Sequence, residues 1–545
     1  MPTVTIDGRT VEVPAGTNLV EAGLKVGVQI PHYCYHPRLS VVGQCRMCMV
    51  EIEGMGKLQA ACSTQVMKDG MVVKTTSAPA EEAQRAIMEF LLINHPLDCP
   101  ICDQAGECGL QDYSYKHGQA FSRFRFEEKR TYPEKERIPL GPTVLLNMNR
   151  CIQCTRCVRF TEEVSKTGEL GFFERGADAE IGTFPGKPLD NPLSTCVVDI
   201  CPVGALTSTR FRFTERVWNL AKKPSICTGC DAGCNITVEH RRGSIKRLKP
   251  RHNPQVNDYW MCDHGRGSHE RYASLPRLTV PMVRRQLASG ETELVAAAWK
   301  EAVGAVSAAF RSRRAEGALT FLGSGFLSTE EAFLASRLAR LVDSPHQSIW
   351  VDSGVPRHIP NPQGGVTGRD AAPNRRGAEL AGLVPGPGAI DAEGLLLEHE
   401  AAKCGVLFVL DSDFGRAASD PKVVERLRQA KFLVVMGWAD TPLARVADVV
   451  LPTATPVERD GTFVNVDWRV QRFVSAFPAP AQVRPALEVL ADLLSRIEPQ
   501  WSTVTAASVF DLMSEDLDEF EGMRFSTIPP YGAPLARAGA AGGEA

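Results

Sequence analysis

Thiols are nearly absent from the second half of this 545-residue sequence: 16 of its 17 cysteines lie before residue 263, and Cys404 is alone beyond it. The second half therefore offers no thiol ligand set of its own. An excess of one charge is also missing. A formal net charge of -3 gives no global electrostatic case for nucleic acid or an anionic membrane surface. No stretch reaches the roughly 18 uninterrupted apolar residues of a membrane span, and the opening Met1-Pro2-Thr3-Val4-Thr5 is not the basic-then-apolar start of a secretory leader, so a cytoplasmic, soluble chain is expected. No strand-like run is followed by G-x-G-x-x-G and a helix. Gly323-Ser324-Gly325 lacks the third glycine, so neither NADH nor flavin is expected to bind this chain.

The length calls for several domains, because single cores rarely grow beyond ~250–300 residues. Val4 to Pro14 reads as two short strands around an Asp7-Gly8 turn, followed by a helix capped by Thr17 and running to Lys25. Ala78 to Asn94 predicts a second helix with Glu81 and Glu82 in its first turn and Ile87, Met88, Leu91 and Leu92 on its apolar face, ending at His95-Pro96. From Cys99 to Cys262 the chain is punctuated by Cys, Gly and Pro, as expected where metal sites organise the fold. After about residue 275 the texture changes. Buried strands are expected at 318–322, 405–410 and 432–436, with a helix over 421–430, an α/β pattern suited to a parallel sheet. Gly354 to Gly388 reads as a surface excursion, and Pro529 to Ala545 as a low-complexity tail.

Four ligand sets carry the chemistry. Cys34, Cys45, Cys48 and Cys62 follow C-x10-C-x2-C-x13-C behind a hairpin and a helix, which suits a [2Fe-2S] cluster held by soft thiolates; spacing alone leaves a four-cysteine zinc site as the alternative. His95, Cys99, Cys102 and Cys108 give H-x3-C-x2-C-x5-C. A lone histidine before proline at a helix end is more often a cap, and the three cysteines in the next short loop reverse that prior. Cys151, Cys154 and Cys157 form the C-x2-C-x2-C run of a bacterial-ferredoxin-type [4Fe-4S] site, closed by Cys201-Pro202, while Cys196 falls outside the pattern. Cys227, Cys230, Cys234 and Cys262 give C-x2-C-x3-C-x27-C. A zinc ribbon competes for that set alone, and a further [4Fe-4S] cluster is the better reading after three iron-sulfur-like sets. The basic run Arg241 to Lys249 reads as a solvated hairpin. Fifteen cysteines and one histidine thus fill four sets, leaving Cys196 and Cys404.

In this order the sets resemble those of the 75 kDa-type iron-sulfur subunits of NADH-quinone oxidoreductase, respiratory complex I. The resemblance implies a [2Fe-2S] cluster on the first set and [4Fe-4S] clusters on the other three, the fourth being of a kind found only in some bacterial members and lying off the main electron path. Ala447-Asp448-Val449-Val450-Leu451-Pro452-Thr453, followed by Glu458, Gly461-Thr462, Asn465 and Arg469-Val470-Gln471, is similar to a segment of molybdopterin oxidoreductases. No molybdenum is expected, because the region is short for two pterins, Cys404 precedes an apolar strand, and His264 stands where such enzymes often carry a lysine.

The implied fold is multidomain α+β and α/β. A β-grasp [2Fe-2S] ferredoxin domain spans 1–78, a His-ligated [4Fe-4S] domain 79–118 and a ferredoxin-like [4Fe-4S] domain 119–219. A molybdopterin-oxidoreductase-type [4Fe-4S] domain spans 220–276 and a degenerate molybdopterin-oxidoreductase-like scaffold 277–528, before a disordered tail over 529–545. The implied function is relay of single electrons from a flavin subunit toward quinone. Its partners would be the NADH-binding flavin subunit, a small [2Fe-2S] subunit, a two-[4Fe-4S] ferredoxin-like subunit and quinone-module subunits, at the cytoplasmic side of the inner membrane. The rival is a subunit of a soluble NAD-linked formate dehydrogenase or hydrogenase, and a colourless zinc-stapled scaffold is a third class.

Overall fold

Val4 and Ile6 are buried while Thr3 and Thr5 stay half-exposed, and this alternation makes Thr3–Ile6 (β1) the first strand in the computed structural model, which describes residues 1–411, 417–480 and 482–536. Asp7 and Gly8 both take positive φ, 48° and 80°, and turn the chain back into Arg9–Glu12 (β2). Helix α1 (Leu19–Lys25) starts one residue later than expected. Asn18, not Thr17, caps it by accepting from the Glu21 amide at 3.0 Å, and the Thr17 hydroxyl instead donates to the Pro14 carbonyl. Strands Met49–Ile52 (β3), Gln59–Ala60 (β4) and Met71–Lys74 (β5) complete a mixed sheet of order β2-β1-β5-β3-β4. Leu19, Val20 and Ala22 of α1 pack with Val4, Ile6, Val50 and Val73 from it. Helix α2 (Ala78–Ile93) runs as expected to the residue before Asn94, burying Ala80, Gln84 and Met88, and α3 (Gly109–His117) packs against it.

The chain divides into two compact units, one of them Met1–Leu220 and the other beginning at Ala221. The second opens with an antiparallel sheet of Ala221–Ile226 (β6), Asn235–Arg241 (β7) and Ser244–Pro250 (β8), so the basic run does form a hairpin. Met282–Gln286 (β9) and Thr292–Ala296 (β10) then lead into α4 (Trp299–Ser312), Ala318–Ser324 (β11), α5 (Thr329–Leu341) and His346–Trp350 (β12). With Cys404–Leu410 (β13), Leu433–Gly437 (β14) and Val449–Pro452 (β15) they form a seven-stranded sheet, β10-β9-β15-β14-β13-β11-β12, whose last five strands are parallel. Apolar residues on both faces explain the near-continuous hydrophobic runs. Val406, Phe408 and Leu410 face α4 and α5, whereas Leu407 and Val409 pack with Leu395, Leu396 and Leu427 on the other side.

Two expectations change. Residues 354–388 are not simply a surface excursion: Ser353–Ile359 and Val366–Asp370 form a hairpin, and Arg375–Leu380 a helix. Glycine and arginine richness suggested solvent, but Gly368 is there for close approach to another loop. Of the expected disordered tail, 529–536 is structured, with Ala533–Pro534 pairing to Arg469–Val470 and Leu535 buried, because that strip covers an otherwise open strand edge. Residues 537–545 lie outside the described residues. Among the described residues no helix is long and apolar enough to cross a membrane.

Candidate metal centres

Two loops of the first unit bring the first set together, one after α1 and one after β4. Cys34, Cys48 and Cys62 are buried and Cys45 is half-buried. The Cys34 thiol is held well below the ordinary thiol range by hydrogen bonds from Cys45 and then Cys62, and Cys62 also bonds Cys48, so the four sulfurs share one pocket. Arg46 takes a left-handed φ of 57° to turn the chain between Cys45 and Cys48, and the Tyr33 amide donates to Cys45 Sγ at 3.4 Å.

The second set sits between the end of α2 and the start of α3. Cys108 is the residue before α3, and the Asp98 carbonyl accepts from the amides of Ile101 and Cys102 to form the turn. Cys102 and Cys108 are buried and Cys99 is exposed. Burial pushes the Cys108 thiol up to about 11, and Cys99 and Cys102 lie within its electrostatic reach. Burial, and then the Arg150 charge, pull His95 down to about 4. It is therefore a neutral imidazole at pH 7, the state a metal ligand needs. The three thiols lie within reach of one another, whereas the charged neighbours of His95 are Arg150, Lys129 and Asp98, and it lines a cavity with Cys151 and Gln153.

The third set lines one cavity with Leu146, Ile152, Ile181 and Val203 around Cys151, Cys154, Cys157 and Cys201. The loop is bent by two non-glycine residues at left-handed φ, Gln153 at 52° and Thr155 at 63°. Such conformations cost of order 1 kcal/mol each and persist where the surroundings impose them. Burial pushes Cys154 up to about 11 and raises Cys157 well above the ordinary range. The amides of Val203, Leu206 and Ala205 point at Cys201, and Cys196 is buried outside the cavity wall.

In the second unit, Cys227, Cys230 and Cys234 occupy the turn between β6 and β7, and Cys262 caps the short helix Asp263–Gly267 by accepting from the Gly265 amide at 3.3 Å. All four are buried and lie within reach of one another. Glycines make the room. A Cβ on Gly265 would stand 3.0 Å from Cys227 Sγ, and one on Gly368 would stand 2.6 Å from Cys230 Sγ. The loop is braced from far along the chain: Asn465 donates to the Ala232 carbonyl at 3.2 Å, and Gln471 to the Gly233 carbonyl at 2.9 Å. Asp231 accepts from the amides of Arg369 and Asp370. Sequence reasoning singled out Asn465 and Gln471 for family likeness and did not foresee this bracing.

Among the described residues no three His, Cys, Asp or Glu side chains stand ready to grip a single metal ion. The residues present do fit a larger thiolate-bound group. The thiols of each set lie within reach of one another and those of the third line one cavity, amides point at Cys45, Cys151, Cys227 and Cys262, and glycines leave room beside Cys102, Cys227 and Cys230. Cys404 is different: buried in the first position of β13 beside the Thr320 hydroxyl, it belongs to the core.

Comparison with known families gives one match for each of these regions. The family described as a 2Fe-2S iron-sulfur cluster binding domain matches residues 1–78, and the NADH-ubiquinone oxidoreductase-G iron-sulfur binding region matches 84–123. The ferredoxin-like domain of NADH-quinone oxidoreductase subunit 3 matches 141–207. The molybdopterin oxidoreductase Fe4S4 domain matches 220–274, and molybdopterin oxidoreductase 374–496. The G subunit of NADH-quinone oxidoreductase from Streptomyces coelicolor is 44% identical over 342 residues, 62% of this chain and 39% of that protein. The mitochondrial 78 kDa subunit of NADH-ubiquinone oxidoreductase from Neurospora crassa is 43% identical over 355 residues, 64% of this chain and 46% of that protein. The G subunit from Mycobacterium bovis is 41% identical over 346 residues, 63% and 42%. The chain thus spans less than half the length of these relatives. A solved NAD+-reducing [NiFe]-hydrogenase in the H2-reduced state is 29% identical, covering 40% of this chain and 91% of that one, with a TM-score of 0.35, too low for an argument from fold. By these matches the chain is a multidomain iron-sulfur protein and a relative of the G subunit of NADH-quinone oxidoreductase.

Proposed function

We propose that the chain is the electron-relay subunit of an NADH-quinone oxidoreductase, with a [2Fe-2S] cluster on Cys34, Cys45, Cys48 and Cys62. The same reading puts [4Fe-4S] clusters on His95, Cys99, Cys102 and Cys108, on Cys151, Cys154, Cys157 and Cys201, and on Cys227, Cys230, Cys234 and Cys262. The observation that supports it is the grouping of the fifteen matching cysteines into four sets whose thiols lie within reach of one another, with His95 a neutral imidazole just past the end of α2. When bound, such clusters supply single-electron transfer. The residues of the chain fix their spacing, exclude water and aim amide donors at the ligating sulfurs.

The mixed sheet with α1 packed on it supports a β-grasp reading of 1–78, followed by cluster domains over 79–118, 119–219 and 220–276 and a scaffold over 277–528. Hydride chemistry then belongs to a flavin subunit, and the other partners are a small [2Fe-2S] subunit, a two-[4Fe-4S] subunit and quinone-module subunits, at the cytoplasmic side of the membrane. The scaffold takes no molybdenum in this reading. The N-terminus of α5 is closed by the chain's own Glu330 and Glu331, and Cys404 is a core residue. Iron and sulfide quantification with EPR on anaerobically purified, dithionite-reduced protein tests the proposal. About fourteen irons per chain are expected from one [2Fe-2S] and three [4Fe-4S] clusters. Zinc in their place, or molybdenum, would sink it.

A further inference from the structure

Among the described residues four arginines are fully buried: Arg150, Arg159, Arg266 and Arg459. Three face a carboxylate. Arg150 grips Asp98 at 2.7 Å, Arg459 meets Glu331 at 3.1 Å, and Arg266 lies 3.9 Å from Asp263. Arg159 does not. Its Nη2 donates to the carbonyl of Cys34 at 2.6 Å and to that of Cys154 at 3.2 Å, its Nη1 to the carbonyl of Ser40, and its Nε to the Thr155 hydroxyl at 3.0 Å. Every acceptor is neutral, and two belong to ligating residues of different sets.

Arg156, one turn earlier on the same short helix, repeats the pattern. Its Nη1 donates to the carbonyl of Ile200, the residue before Cys201, at 3.1 Å, and its Nη2 to the carbonyl of Tyr35, the residue after Cys34. Among the described residues its buried Nε has no hydrogen-bond partner, and the ionisable groups in its reach include Cys154, Cys201, Cys34 and the like-charged Arg159. Glu163, on the same segment, is exposed and accepts from Ser40 instead of from either arginine.

A guanidinium stays charged at any pH a protein survives, and burying it without a counter-charge is strongly unfavourable. What can offset that cost here is negative charge on the two ligand sets that flank the helix. Thiolate-ligated clusters are net anions, and each becomes more negative on reduction. Resting on the reading of the first and third sets as cluster sites, we propose that Arg159 and Arg156 are positioning residues that tie these two loops together and favour reduction of both clusters through their uncompensated positive charge. The hydrogen bonds fix the separation of the loops, and the charge sets how readily an electron rests on either side.

The test is an EPR-monitored redox titration of the full, cluster-loaded chain carrying Arg159→Gln, Arg156→Gln or Arg159→Lys, with the second cluster's signal as internal control. Each neutral variant is expected to weaken the reduction equilibrium of the first and third clusters by tenfold or more, about 59 mV for one electron, and to leave the second unmoved. Arg159→Lys keeps the charge and is expected to stay within about threefold of the parent chain, by the same conversion. Unmoved midpoints in both neutral variants would overturn the proposal, as would a shift shared by all three clusters or one as large in Arg159→Lys. If both neutral variants lose iron while Arg159→Lys is loaded at parental potentials, the charge role stands. Loss of iron in Arg159→Lys as well would leave only a packing role and overturn it. Cys34→Ala and Cys154→Ala, which should each delete one signal, separate failure of the ligand assignment from failure of the arginine proposal.

Discussion

Gly204 is a sharp test of whether Cys102 ligates. A Cβ built on it would lie 2.2 Å from Cys102 Sγ, 3.2 Å from Gln104 Cβ and 3.7 Å from Arg150 Cδ. Ordinary carbon–sulfur contact is near 3.7 Å, so in Gly204→Ala the sulfur must retreat by about 1.5 Å. A free cysteine could do so by rotating χ1. A ligating one could not, because that distance is more than half of a typical metal–thiolate bond of about 2.3 Å. The overpacking itself costs roughly 1–3 kcal/mol, which a chain of this size survives. Gly204→Ala should therefore fold, lose the second cluster's EPR signal, and fall from about fourteen to about ten irons per chain. Gly368→Ala, whose Cβ would stand 2.6 Å from Cys230 Sγ, should remove a different signal by the same reasoning. A Gly204→Ala chain with full iron and an unchanged second signal would show that Cys102 is free to move and is not a ligand.

His95→Cys adds a thiolate charge and should lower the midpoint potential of the second cluster, read by EPR titration; no shift, or an upward one, would reject His95 as ligand. Cys227→Ala in the assembled complex should remove one [4Fe-4S] signal and keep most NADH-to-quinone turnover, and complete loss of turnover would put the fourth cluster on the main path. Burial raises Glu330 from 4.5 to about 7. Because its folded value lies above the unfolded one, its contribution is fully present below about pH 4.5 and is lost as pH rises through 7, a swing of roughly 3 kcal/mol. Unfolding midpoints at pH 5.5 and 8.5 should diverge in the parent chain and converge in Glu330→Gln. Equal divergence in both would refute the assignment.

The grouping of the thiols was legible because cysteine spacing is local information: each of the first three motifs falls on one or two loops, and the cysteines of each lie within reach of one another, whereas His95 rests on its spacing and its charged neighbours are Arg150, Lys129 and Asp98. The strands at 318–322, 405–410 and 432–436 were legible for a similar reason, since a run buried on both faces must be apolar throughout. What supports the sites was not legible. Asn465 and Gln471 reach Ala232 and Gly233 across more than 200 residues, and nothing local marks them as braces. Gly368 sits in a glycine- and arginine-rich stretch whose composition points to solvent, yet its missing side chain is what lets the hairpin touch Cys230. Arg159 is one of 61 Lys and Arg residues, and what sets it apart among the described residues is burial against neutral acceptors where the other buried arginines face a carboxylate.

In the second unit the crevice of the parallel sheet is filled by the chain's own side chains. Its parallel strands run in the spatial order β12-β11-β13-β14-β15, so the chain reverses direction between β11 and β13. Open sheets of this kind bind ligands at that reversal, outside the carboxyl ends of the strands, with a helix N-terminus facing the anion. Here that helix is α5, and its first turn is already served. Ser328 and Glu331 form a reciprocal capping pair, Glu330 accepts from the amide and hydroxyl of Thr462, and Arg459 donates to the Phe326 carbonyl while facing Glu331. An incoming phosphate would find the amide of Glu331 taken and two buried carboxylates nearby. Displacing Glu331 would also strip Arg459 of its counter-charge, at about 3–5 kcal/mol for a broken buried pair. The same residues that close the crevice lie next to Gly461 to Gln471, the segment that braces Ala232 and Gly233 around the fourth ligand set. Filling the crevice and steadying that loop are thus one structural act.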